Sequence, residues 1–119
     1  MELRGVHHVS INVSDLDDTL AFYTDTVGLA VLPRPDGIGP GVWLGCPDGR
    51  EIHLLLRGDV PDNLGQHYAF EVGSVEETKE ALAAGGRKVS KTSEIAGVCR
   101  QVFCRDPSGN LLEFNQPLR

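Results

Sequence analysis

Val6-His7-His8-Val9-Ser10-Ile11-Asn12-Val13 decides the fold, because it returns in outline as Gly65-Gln66-His67-Tyr68-Ala69-Phe70-Glu71-Val72. His8 and His67 stand 59 residues apart. A second echo lies near the end of each half. Cys46-Pro47-Asp48-Gly49-Arg50-Glu51-Ile52-His53 matches Asp106-Pro107-Ser108-Gly109-Asn110-Leu111-Leu112-Glu113, and His53 and Glu113 are 60 apart. In a chain of 119 residues that period is half the length, so the sequence reads as two copies of one unit. Each copy offers two residues able to bind a metal.

Residues 6–13 alternate as a half-buried strand does. His7, Val9, Ile11 and Val13 point one way; His8, Ser10 and Asn12 point the other. Ser14-Asp15-Leu16-Asp17 starts a helix, with Ser14 as N-cap, and Gly28 ends it. Leu16, Leu20 and Phe22 or Tyr23 recur at helical spacing. Strands are expected at 29–32, 42–45 and 51–56, the last two joined by the turn at 47–50. Residues 33–41 hold three Pro and three Gly and read as a loop, mobile enough to cover a pocket. The turn-rich stretch 58–64 is the joint between copies. The second half repeats the order: a strand at 66–72, a capping box at Ser74-Val75-Glu76-Glu77, a helix to Gly85-Gly86, then strands near 87–89, 98–104 and 111–115.

The expected fold is therefore α+β. It is a single domain built from two βαβββ modules, about 1–59 and 60–119, whose sheets join into a curved mixed sheet with a concave cup. Parity places the ligand candidates on that cup. Ile52, Leu54 and Leu56 must pack on a helix, as must Tyr68, Phe70, Val72, Leu112 and Phe114. His8, His53, His67 and Glu113 all fall on the opposite face. Burying the Glu113 carboxylate there needs a partner, which a divalent ion with imidazole ligands supplies. His7 has the packing parity and reads as a structural, hydrogen-bonded residue. Glu51 and Glu71 read as solvated charges or as bases reaching into the cup.

Composition narrows the function. A net charge of −6 argues against a nucleic-acid partner, which needs basic density. No apolar run approaches the roughly 20 residues of a membrane span, and the first residues run straight into a strand, so a cytoplasmic protein without membrane partners is expected. Cys46, Cys99 and Cys104 form no CxxC pair and read as structural thiols, with Cys99 or Cys104 available to line a pocket.

His7-His8-Val9-Ser10-Ile11, Ser14-Asp15-Leu16, Ala21-Phe22-Tyr23, His67-Tyr68-Ala69-Phe70 and Asp106-Pro107-Ser108-Gly109-Asn110 leading to Leu112-Glu113 together resemble the vicinal oxygen chelate superfamily. That superfamily holds glyoxalases, fosfomycin-resistance thiol transferases, ring-cleaving dioxygenases and bleomycin-resistance proteins, so the resemblance specifies a fold better than an activity. It implies a divalent metal (Ni, Zn, Co, Mn or Fe) held by His8, His67 and Glu113, with His53 at the position of a fourth ligand. It also implies a homodimer whose sites draw on both chains.

Four protein ligands would leave an octahedral ion two open positions, enough for a substrate chelating through vicinal oxygens. Ring cleavage needs three. The expected function is accordingly a glyoxalase-type lyase or isomerase with Glu113 as base. The chain departs from the glyoxalase pattern in having His53 where a glutamate is usual. Ser10, Asn12, Trp43, Arg100 and Phe103 are the expected substrate contacts. Ser10 stands where thiol transferases have Thr, Phe103 replaces their Tyr, and Lys91 and Arg100 are substitutes for their anion contacts. Trp43 reads equally as core. The alternatives are a metal-free drug-binding protein and a metal-dependent thiol transferase.

Overall fold

The short apolar alternations become strands, and the capped polar runs between them become helices. The computed structural model describes residues 1–58, 60 and 65–119, so most of the joint expected at 58–64 lies outside the described residues. The chain divides into two units, Met1–Val60 and Pro61–Arg119. The first runs β1 (His8–Val13), α1 (Leu16–Ala21), a π-helical turn (Phe22–Val27), β2 (Ala30–Leu32), β3 (Gly41–Gly45) and β4 (Glu51–Leu56). The second runs β5 (Tyr68–Glu71), α2 (Val75–Ala84), β6 (Ser93–Ile95), β7 (Cys99–Arg105) and β8 (Leu111–Pro117). This is the expected α+β architecture with βαβββ order in each half.

Each unit has one four-stranded sheet, ordered β1-β4-β3-β2 in the first and β5-β8-β7-β6 in the second. β1 and β4 are parallel, as are β5 and β8; the other pairs are antiparallel. A parallel pair needs a long crossover, which the helix and the intervening strands supply. Register confirms the repeat. Ser10 pairs with His53 in the first sheet, and Ala69 pairs with Glu113 in the second. His53 and Glu113 thus hold equivalent places.

The helix-facing positions form the cores. Val13, Leu44, Ile52 and Leu54 are buried with Phe22 and Tyr23 in the first unit. Val75 and Leu82 of α2 are buried with Val102, Cys104, Leu112 and Phe114 in the second. Each such aliphatic side chain contributes about 1.5–3 kcal/mol by leaving water. Gly41 opens β3 with no room for a side chain, because a Cβ there would run into the Leu54 carbonyl.

Four local expectations need correction. The cap of α1 is Asp15, not Ser14: Asp15 has the extended backbone of a cap, and its carboxylate accepts from Asp18 N at 3.0 Å. A carboxylate there also meets the positive end of the helix, which a hydroxyl does less well. Leu16 and Leu20 are only partly buried, whereas Thr19, Phe22 and Tyr23 are fully so. The π turn widens the helix so that two adjacent aromatic rings both reach the core, edge to face at 5.0 Å. Gly28 closes it at φ 94°. Near 87–89 only an isolated bridge forms, between Val89 and Cys104. Phe103 N donates to Ser90 Oγ, a side chain rather than a ladder carbonyl, so regular pairing resumes only at Ser93. Finally, His7 precedes β1, is exposed, and meets His8 instead of the core.

Among the described residues no helix is long and apolar enough to cross a membrane.

Candidate metal centre

In the second unit, β8 and the residue before β5 bring His67 and Glu113 together. His67 Nε2 lies 3.0 Å from Glu113 Oε1, and His67 Nδ1 lies 2.8 Å from the Gly65 carbonyl. A carbonyl only accepts, so Nδ1 carries a proton and donates it. That fixes the tautomer. In the neutral ring Nε2 presents a lone pair to a carboxylate oxygen, and two lone pairs at 3.0 Å require a proton or a cation between them. The Gly65 carbonyl raises the His67 pKa above its ordinary value; partial burial opposes this and Glu113 adds to it. Glu113 is only 8% exposed, and its other oxygen, Oε2, accepts from Asn115 Nδ2 at 2.7 Å. Phe103, opposite Glu113 in register, packs edge-on against His67 at 5.3 Å between ring centres.

The first unit uses its pair differently. His8 and His53 lie on neighbouring parallel strands, and their rings stack at 4.0 Å with 14° between planes. Trp43, opposite His53 on β3, covers the other face of the His53 ring at 4.4 Å. His53 Nε2 donates to Glu51 Oε1 at 2.8 Å, and His8 Nδ1 lies 2.8 Å from His7 Nδ1. The bond from His53 lowers the Glu51 pKa; burial opposes, and the charges of His53, His7 and His8 assist.

The two halves answer a metal unequally. Among the described residues no group of three or more His, Cys, Asp or Glu side chains is arranged to hold an ion. The His67–Glu113 pair nevertheless fits one. A backbone-fixed tautomer leaves Nε2 free to ligate, and 3.0 Å is about the spacing of neighbouring donors bound at about 2.1 Å. The His8–His53 pair fits less well. An imidazole binds a metal in its own ring plane, and two nearly parallel stacked rings cannot both aim at one ion. His53 gives Nε2 to Glu51, which leaves Nδ1 as its candidate donor atom.

The other expected contacts divide by face. Ser10 is exposed and Asn12 half-buried on β1, with Ser10 opposite His53. Trp43 and Phe103 each touch a histidine of their own unit. Arg100 does not join them. It lies on the helix side of β7, bonded to Glu76 of α2 at 2.9 Å and close to Glu94 at 3.8 Å. Its parity, shared with buried Val102 and Cys104, carried that signal. Lys91 is exposed. Asn115, the Glu113 partner, carries no motif that marks it, although its spacing of two residues puts it on the same face. The 33–41 loop is tied across its base by Arg34, which donates from Nη1 to Gly39 O at 2.6 Å. Burial raises the Cys104 pKa to about 11 and, with Asp48, raises that of Cys46.

Known proteins place this arrangement in a family. The chain is 34% identical to an uncharacterized protein of Pseudomonas aeruginosa, covering 93% of this chain and 89% of the other. It is 29% identical to the lactoylglutathione lyase of Haemophilus influenzae, over 90% and 88% of the two chains. Among solved structures, a glyoxylase/bleomycin resistance protein/dioxygenase domain from Frankia sp. EAN1pec superposes with a TM-score of 0.84 at 28% identity, covering 98% of this chain and 93% of that one. The profile of the Glyoxalase/Bleomycin resistance protein/Dioxygenase superfamily matches residues 5–114, nearly the whole chain, and the protein belongs to that superfamily.

Proposed function

We propose that the protein is a divalent-metal-dependent lyase or isomerase of glyoxalase type, acting on a small substrate with vicinal oxygens. The observation that carries this is the His67–Glu113 pair, in which a tautomer-fixed imidazole and a nearly buried carboxylate face each other across 3.0 Å. His67 and Glu113 are the principal ligands. Similarity to a lactoylglutathione lyase along most of both chains supports the reaction class. A homodimer and a cytoplasmic location belong to the same reading.

When bound, the ion supplies Lewis-acid stabilisation of the negative charge that develops on substrate oxygens after proton removal. The chain supplies the rest. Glu113 is the base: Asn115 holds Oε2, and Oε1, the oxygen that faces His67 Nε2, takes and returns a proton once it is released from the ion. Gly65 keeps His67 from turning, and Phe103 shields the pair from water on one side. Glu51 and Trp43 fix the His53 ring.

Elemental mass spectrometry tests the proposal on protein purified without chelator or affinity metal, beside His67→Ala. About one divalent ion per chain, lost in the variant, is expected. An isomerase screen that includes lactoylglutathione formation then assigns the reaction, and thiol-dependent turnover of an epoxide would mark a transferase instead. No metal in the native protein and no uptake from nickel, zinc, manganese or iron would overturn the mechanism and leave a ligand-binding protein.

A further inference from the structure

A cleft of about 500 Å³ opens in the second unit between the segment after α2 and the β7–β8 end of the sheet. Its lining is two-sided in chemistry. Val89, Phe103 and Leu111 give it an apolar floor, and Arg87, Lys88 and Arg105 bring three cations to it. Three cations around one cleft run against a chain of net charge −6. The first two come straight after the helix, and the third lies across the sheet at the end of β7. The two arginines are fixed by the backbone: Arg87 Nη2 donates to Arg105 O at 3.0 Å, and Arg105 Nη1 to Gly109 O at 2.8 Å. The nearest acid in sequence, Asp106, is 1% exposed and turned inward. Its oxygens accept from Ser108 N, Asn110 N and Asn110 Nδ2. It steadies the turn.

We infer that this cleft binds an organic anion, its carboxylate or phosphate at Lys88 and the two arginines and its apolar body along Phe103 and Leu111. Guanidinium and ammonium groups beside an apolar wall recognise a charged head on an apolar stem. The cleft reaches the candidate metal centre through one residue. Phe103 lines it and also lies edge-on to His67 at 5.3 Å. An occupant seated on Phe103 would lie against the ring that packs on His67. The inference thus names the substrate class as anionic; its catalytic use rests on the metal-dependent reading, while the binding site itself does not.

Phenyl phosphate is the probe, with inorganic phosphate as comparison, titrated into the ¹⁵N-labelled full chain at physiological salt. Saturable shifts are expected at residues 86–90, 103–105 and 111, with inorganic phosphate at least about fivefold weaker for want of an apolar body. Lys88→Ala combined with Arg105→Ala should weaken phenyl phosphate about tenfold. Lys88→Glu alone, at an exposed position, serves if the double variant does not fold. Binding should persist in His67→Ala with chelator present, which separates the cleft from the metal. Absence of saturable shifts, shifts centred elsewhere, or affinity indifferent to the Lys88 variants would each overturn the assignment. So would loss of binding in His67→Ala, because the anion would then sit on the metal ligands.

Discussion

The two units share topology and register, yet they use equivalent positions for different chemistry. His53 and Glu113 occupy matching places on β4 and β8. In the first unit the residue is an imidazole, flanked by Trp43 and His8 and bonded to Glu51. In the second it is a carboxylate, bonded to His67 and Asn115. A repeated backbone therefore fixes where side chains stand but not what they do. The first half builds a stacked cluster in which His53 Nε2 and His8 Nδ1 are engaged by neighbours. The second builds a donor pair that needs a positive centre to be complete.

The largest test of that contrast is metal retention. Glu113→Gln and His67→Ala should each abolish stoichiometric binding, while His53→Gln should retain it with affinity lowered about tenfold to a hundredfold at most, the range of a supporting residue. Binding lost equally in His53→Gln would show that the His8–His53 stack opens and that four ligands act together. Competition titration with a chromophoric chelator measures all three.

The turns before β4 and β8 should differ in stability. Both put glycine at positive φ, Gly49 at 86° and Gly109 at 94°. The first has exposed Asp48 accepting from Arg50 N. The second has buried Asp106 accepting from three donors. Asp106→Ala strands those donors and should cost about 3 kcal/mol or more, whereas Asp48→Ala should cost about 1 kcal/mol or less. Urea unfolding gives both values. Equal costs would mean the second turn is no more rigid a base for Glu113 than the first is for His53.

Asn115→Ala should weaken metal binding about tenfold to a hundredfold with little loss of fold, because it frees Glu113 Oε2 without removing a ligand. An unchanged affinity would mean that His67 alone orients the carboxylate.

Much of this was legible in the sequence, and the residues show why. Alternation over 8–13 and 51–56 fixes which side of each strand meets a helix, and the repeat fixes which positions correspond. Neither depends on long-range detail. Ring orientation does. Whether His53 points a lone pair outward or stacks on His8 depends on Trp43 and Glu51, and strand parity does not give a torsion angle. The π turn was hidden because a period of 3.6 can accommodate Phe22 or Tyr23 but not both. The cationic cleft was hidden because Arg105 is far in sequence from Arg87 and Lys88, and only the folded hairpin unites them. Arg100 is the opposite case. Its place beside Val102 and Cys104 on the helix side follows from parity, which is a better guide to its face than its charge.

The smallest expected effect also sets the two units apart, through the sign of their pH dependence in metal-free protein. His67 has a raised pKa when folded, so its contribution to stability is fully present below its unfolded value of about 6.5 and fades as pH rises through the folded value. Glu51 has a lowered pKa, so its contribution is present above its unfolded value of about 4.3 and fades as pH falls through the folded one. The stability gap between wild type and His67→Gln should therefore be wide at acidic pH and narrow at alkaline pH. The gap for Glu51→Gln should open as pH rises out of the acid range and then stay open. Both groups are solvent-accessible enough for salt to damp the effects. Adding a divalent ion should reverse the first trend and spare the second. The ion displaces the proton between His67 and Glu113, so its stabilisation grows with pH. Chelator-treated and metal-loaded protein, melted across pH with each variant, would show the reversal. If the ion left the His67 trend unchanged, proton and metal would not compete for that pair, and the second unit would lose its distinction from the first.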